Sequence, residues 1–239
     1  MAYPLDQPAF IELIERIAEC LRNDELFVPE NRFSIFVCGG GDRRKHDRFK
    51  FVAFSEEKHP DIQFVLAENV FAELVHVTAR FHNLAMVEEL IAATSDCILI
   101  FPESPGSFVE FGYFAANTEI VQNTLIAAKS KHTAENSFIS QGPLGIYNRD
   151  SSYQPHVSYG EKVGPGVAAR IMRKISGVRH VRARRERIEI SDISNADYRE
   201  KLSLLYFMSM CTIVINADIA NYILNVAFGS DLRPIWSRI

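Results

Sequence analysis

The chain has little that would staple, anchor or strongly charge it. Only four cysteines (Cys20, Cys38, Cys97 and Cys211) occur in 239 residues. They lie far apart and mostly inside apolar runs, which excludes a disulfide framework or a zinc site and implies buried, reduced thiols. No apolar run approaches the roughly 18 residues a membrane span needs. The opening Met-Ala-Tyr-Pro-Leu-Asp lacks a basic segment followed by an apolar one. A cytoplasmic protein without membrane contact is expected. The histidines show no H-x-x-x-H spacing, so no metal is expected. A formal net charge of -4 does not mark the chain as a nucleic-acid binder. What remains, with 47% hydrophobic and 23% charged residues, is an ordinary globular protein with room for one substantial core and a small appended part.

Strand and helix signals alternate through the first half. Asp6 can cap a helix whose apolar positions Phe10, Leu13, Ile14, Ile17 and Leu21 recur at three and four residues, and this helix is expected to pack on a sheet. Phe33 to Cys38, Ile62 to Leu66, Cys97 to Phe101 and Asn123 to Ala128 read as strands. Asp42 to Glu57, Leu84 to Ala93 and Ser107 to Asn117 read as the helices between them. Such alternation predicts an α/β fold, a parallel sheet covered by helices on both faces, with its ligand site beyond the carboxyl ends of the strands.

The densest signal is Phe101-Pro-Glu-Ser-Pro-Gly-Ser-Phe-Val-Glu110. The turn Ser104, Pro105, Gly106, Ser107 leaves a strand end and enters a helix, so its free backbone N–H groups and the helix dipole face whatever sits above the sheet. Glu110 is placed in the first helical turn, where a carboxylate should stay ionised at neutral pH and could meet the positive charge that develops when a glycosidic bond breaks. The same spacing, Ser107 to Glu110, also fits a capping box. Both readings of Glu110 stand at this point. Gly39, Gly40 and Gly41 follow a strand and either allow close approach to ribose or phosphate or simply form a tight turn. Glu68 and Asn69, at the end of a second strand, either bind ribose hydroxyls or form a solvated helix start capped by Asn69.

Beyond Ala128 the pattern changes. Lys129 to Gly166 is rich in Ser, Gly, Pro, Asn and Tyr and reads as loop. A boundary near Pro165 divides the chain into a catalytic part, 1–165, and a basic and helical part, 166–239. Arg170, Arg173, Lys174, Arg179, Arg182, Arg184, Arg185 and Arg187 are interrupted only by Glu186 among acids, and Arg179, Arg182, Arg184 and Arg185 are candidate nucleic-acid contacts. A helix from Ser194 or Asn195 to about Val214 and another from Asn216 to before Gly229 make a pair. The pair reads as a partial helix-turn-helix, a helical cap or a dimerisation hairpin.

Four segments in order, IFVCGGG at Ile35 to Gly41, FVLAENVF at Phe64 to Phe71, CILIFPESPGSFVEFGYF at Cys97 to Phe114 and SFISQGPL at Ser137 to Leu144, resemble the nucleoside deoxyribosyltransferase-like effectors of bacterial retrons. The resemblance implies a Rossmann-like catalytic domain with Glu110 as its catalytic carboxylate. It further implies a toxic antiphage effector held in an oligomer or larger complex with a reverse transcriptase and its multicopy single-stranded DNA–RNA product. The activity it implies is N-glycosidic hydrolysis of NAD, with NAD as substrate and no resident cofactor. Transfer of a ribosyl or ADP-ribosyl group, and a catalytically silent nucleic-acid-binding scaffold, are the alternatives. Where similar effectors have Pro-Glu-Asp, this chain has Ala67-Glu68-Asn69.

Overall fold

The computed structural model of the protein describes residues 7–22, 33–74, 84–133, 137–182, 201, 204, 205, 208, 211 and 217–229. The chain divides into two compact units, Asn31–Arg184 and Met1–Glu30 with Arg185–Ile239.

The larger unit holds a five-stranded sheet in the order β2-β1-β3-β4-β5. Its strands are β1 (Phe33–Cys38), β2 (Ile62–Val65), β3 (Cys97–Ile100), β4 (Thr124–Lys129) and β5 (Val157–Tyr159), and every pairing is parallel. The central runs FSIFVC, CILI and TLIAAK are nearly continuous apolar stretches because a parallel sheet is buried on both faces. Alternate residues supply two cores. Ile35, Val37, Leu99, Leu125, Ala127 and Val157 face one core with Phe51 of α2 (Asp47–Glu56) and Ile171, Met172 and Ile175 of α9 (Pro165–Arg182). Phe36, Cys38, Ile98, Ile100 and Ile126 face the other with Ala92 of α4 (Leu84–Thr94), Phe111 and Phe114 of α5 (Pro105–Phe114), Ile120 and Val121 of α6 (Thr118–Gln122), and Tyr147 of α8 (Pro143–Asp150). Each such fully buried side chain contributes about 1.5 to 3 kcal/mol by leaving water.

The stretch expected to be loop carries structure. It contains a short 3-10 turn (Ser130–His132), α7 (Phe138–Gln141), α8 and β5. Serines that read as loop composition make a capping box instead, with the Ser140 N–H donating to Ser137 Oγ at 3.1 Å and the Ser137 N–H donating to Ser140 Oγ at 3.1 Å. The basic helix α9 packs on α2 and β5 within the compact unit Asn31–Arg184.

The first helix, expected to pack on a sheet, is α1 (Pro8–Arg22) of the other unit, where its apolar face is covered by helices of that unit. Its buried Ile14, Ile17, Ala18 and Leu21 join Ile219, Ala220, Ile223 and Leu224 of α10 (Ala217–Phe228), together with Leu204 and Met208. Lys201, Leu204, Leu205, Met208 and Cys211 are helical, as the expected helix through them requires. Gly229 ends α10 with φ of 67°, a left-handed position that glycine adopts without a Cβ clash, and its N–H donates to Asn225 O at 2.9 Å. The expected cap Asp6 lies outside the described residues.

Candidate active site

A sheet of order 2-1-3-4-5 reverses direction between β1 and β3, and loops leaving those strands in opposite directions open a crevice above their carboxyl ends. The β1 exit is Gly39-Gly40-Gly41, and the β3 exit is Phe101 to Ser104 leading into α5.

Two side chains that sequence reading passed over fix these loops. Glu103 accepts from the N–H groups of Gly40 at 3.4 Å, Asp47 at 2.7 Å and Arg48 at 3.3 Å, so its carboxylate fills the N-terminal end of α2 and ties the β1 exit to the β3 exit. Arg48 is only 5% exposed. Its guanidinium donates to Gly40 O at 2.8 Å and Val37 O at 3.4 Å and pairs with Glu68 Oε1 at 2.8 Å. Neither had a motif to betray it, since their partners are main-chain atoms brought together by the fold.

The glycines serve this arrangement. A Cβ on Gly39 would lie 2.8 Å from Arg48 Cδ, and one on Gly40 would lie 2.4 Å from the His46 ring. Close approach is therefore required at both, but by the protein's own side chains. Gly41 is exposed and meets nothing within 4 Å.

Helix α5 begins earlier than expected, at Pro105, and Ser104 is its cap. The capping box is Ser104 with Ser107: the Ser107 N–H donates to Ser104 Oγ at 3.3 Å and the Ser104 N–H to Ser107 Oγ at 2.9 Å. Ser107 Oγ also accepts from the Glu103 N–H at 3.0 Å. The turn's polar groups are thus largely engaged with one another, and Ser107 is buried. Pro105 and Gly106 are exposed, and Gly106 has open space where a Cβ would sit.

Glu110 is consequently free of the cap and stands in the second turn of α5. Its Oε2 is buried and has no hydrogen-bond partner among the described residues. Burial, with a further push from Glu88, raises its pKa to about 7; Arg48 opposes the rise and Glu68 adds to it. The expectation of a carboxylate ionised throughout the neutral range is corrected, because desolvation outweighs any benefit of the helix end. Glu88, on α4, is also raised, by its own burial and by Glu68, against Arg48. Cys38, beside them, is held as a thiol by burial and by Glu110 and Glu88, so it is no thiolate nucleophile. Glu68, Glu88 and Glu110 thus act electrostatically on one another and on the one buried guanidinium, Arg48. Among the described residues no group of three or more His, Cys, Asp or Glu could hold a metal ion.

Other expected residues fall differently. Asn69 is exposed within α3 (Ala67–Leu74) and is not the residue that caps it. Arg179 is half-buried, pairs with Asp61 at 2.6 Å and lies over the Phe33 ring at 5.2 Å. The Arg182 side chain and residues Arg184 and Arg185 lie outside the described residues. No described helix is long and apolar enough to cross a membrane.

Comparison with known proteins places the chain. The family model for the STM3845 retron effector protein matches residues 40–233. The chain is 30% identical over 125 residues to the Escherichia coli protein named "Retron Ec86 putative ribosyltransferase/DNA-binding protein", a match covering 51% of this chain and 39% of that relative. Its Retron Ec73 counterpart, also from Escherichia coli and named in the same terms, is 31% identical over 126 residues, covering 51% and 40%. The matched stretch therefore spans about two fifths of each relative. Both relatives are named for ribosyl transfer, a different reaction from hydrolysis, and the expected N-glycosidase acting as an NAD glycohydrolase is overturned on that ground. A family match over most of the chain, including the β3 exit and Glu110, makes this protein a member of the STM3845 retron effector family.

Proposed function

We propose that this retron effector transfers a ribosyl or ADP-ribosyl group from an N-glycoside, NAD or a nucleoside, to an acceptor, with Glu110 as the carboxylate at the anomeric carbon. The observation that carries the reading is the buried, unpartnered Oε2 of Glu110 at the β1/β3 switch point. A desolvated oxygen with free lone pairs is a competent nucleophile, and a substrate carbon can replace the missing partner.

In the first step, a Glu110 oxygen bonds to C1′ while the C1′–N bond breaks and its electron pair leaves with the base. A cationic base departs neutral and needs no proton. A neutral base takes one, and Glu88, whose carboxyl is pushed up by burial and Glu68, is placed to supply it. In the second step, the acceptor attacks C1′ as the C1′–O bond to Glu110 breaks, releasing the Glu110 carboxylate, and the acceptor's proton passes to the Glu88 carboxylate or to water. Arg48 acts as a positioning residue: it fixes Glu68 and the β1 exit and keeps three acids from accumulating unbalanced charge. The names of the relatives support transfer, and family membership supports control by a retron reverse transcriptase and its DNA–RNA product.

Incubating the full chain with NAD or nucleosides and with candidate acceptors, then reading products by mass spectrometry, tests this. A ribosylated acceptor that disappears with Glu110→Gln is the expected result. Unmodified acceptors in every combination would refute transfer.

A further inference from the structure

Helix α2 starts beyond the carboxyl end of β1, where open parallel sheets commonly seat a ligand's phosphate on free main-chain N–H groups. Its own cap leaves those groups unfilled. The side chain of the capping residue, His46, makes no bond to the helix, and its Nδ1 accepts from the Asp42 N–H at 2.8 Å instead. The donors go to Glu103, which arrives from the β3 exit. Its Oε2 accepts from the Asp47 N–H at 2.7 Å, and its Oε1 accepts from the N–H groups of Arg48 at 3.3 Å and Gly40 at 3.4 Å. Anionic oxygens gathering several main-chain donors at a helix start is the arrangement a phosphate takes.

We infer that Glu103 is a specificity-determining residue, an internal anion that keeps a donor's phosphate out of the seat at the start of α2. What concerns donors rests on the proposed transfer reaction; the filling of the seat does not.

The surroundings hold the carboxylate in place. The Glu103 N–H donates to Ser107 Oγ at 3.0 Å, so the side chain is aimed from a fixed base. A Cβ on Gly39 would lie 3.0 Å from Glu103 Oε1, so the bare glycine lets the β1 exit close on that oxygen. The other groups at the crevice that could hold a phosphate are spent as well. The Arg48 guanidinium is engaged by Gly40 O, Val37 O and Glu68. At the start of α5, Pro105 has no N–H, and the Ser107 N–H donates to Ser104 Oγ. A phosphate therefore reaches the α2 seat only by displacing Glu103.

The test is thermal unfolding of the full chain in a series of inorganic phosphate against chloride at constant ionic strength, with no donor present. Glu103→Ala vacates the seat. Its melting temperature should lie below wild type and rise saturably with phosphate by about 3 °C. Wild type, and Glu103→Gln, whose amide oxygen still fills the seat, should respond to phosphate no more than to chloride. If Glu103→Ala does not stay folded in chloride, phosphate should restore it; failure to do so overturns the inference, as does an equal response of all three proteins. A second arm measures transfer from a nucleoside 5′-monophosphate and from the same nucleoside. The ratio of their kcat/KM values should rise about ten-fold in Glu103→Ala over wild type, and an unchanged ratio overturns the specificity role. Absence of transfer in every protein, wild type included, counts against the transfer reaction, and the phosphate series then decides on the seat alone.

Discussion

Asp47 and Glu110 are both buried acids near the carboxyl ends of the strands, and they behave in opposite ways. The Asp47 side chain is 1% exposed. It accepts from the Val163 N–H at 3.2 Å and pairs with Lys50 at 2.8 Å and Lys129 at 3.3 Å. Burial alone would raise its pKa, but Lys50, Val163 and Lys129 together outweigh that and hold the carboxyl below its usual range. Glu110 undergoes similar desolvation without matching partners, and its pKa climbs to about 7. Burial does not mark a carboxylate as functional. Spare lone pairs distinguish the two, because a saturated acid ties elements together and an unsaturated one is available to a ligand.

Exchanging each acid for its amide breaks the comparison most sharply. Glu110→Gln should lower transfer by roughly 10³-fold or more while leaving the melting temperature within a few degrees of wild type. Asp47→Asn should do the reverse. Stranding two lysines costs about 3 kcal/mol, or roughly 6 to 12 °C in melting temperature for a chain of this size. Thermal unfolding of both variants, measured beside their transfer rates, checks the pair; a stable but inactive Asp47→Asn would dissolve the distinction.

The two acids also divide the pH axis. In the proposed mechanism transfer requires ionised Glu110, so its rate should fall about ten-fold per unit as pH drops below about 7. Asp47 has a depressed folded pKa. Its stabilisation is complete above the ordinary aspartate pKa of about 3.9 and is lost as pH falls through the lower folded value. Activity should therefore decline between pH 7 and 5 with no matching loss of melting temperature, which a stopped assay and a melting series at the same pH values would show.

Smaller effects sharpen the account of the β1 exit. Gly40→Ala pushes a methyl group into His46 and should cost about 1 to 3 kcal/mol. Gly41→Ala meets nothing and should stay within about 0.5 kcal/mol. Denaturant midpoints of the two variants measure the difference.

The central architecture was legible because parallel strands must be apolar throughout, which made β1, β3 and β4 visible as runs. β5 was not, since three residues among Ser, Pro and Tyr give no periodicity. The destination of α1 was equally hidden: its apolar stripe states that one face is covered, not by what, and α10 lies some two hundred residues away in sequence. Glu110 was identified by its place after SPGSF, yet the spacing Ser107 to Glu110 suggested a cap that the structure gives to Ser104. Arg48, Glu88 and Glu103 escaped because their significance lies in distances across the crevice, which no local pattern encodes.

The measurement closest to the central claim is trapping of the first intermediate. The full chain would be mixed with a slowly departing N-ribosyl donor without acceptor, quenched, and mapped by peptide mass spectrometry. The account predicts a ribosyl adduct on Glu110 that disappears, with matching appearance of ribosylated product, once acceptor is added. Full transfer activity in Glu110→Gln, or a kinetically competent adduct on another residue, would contradict it.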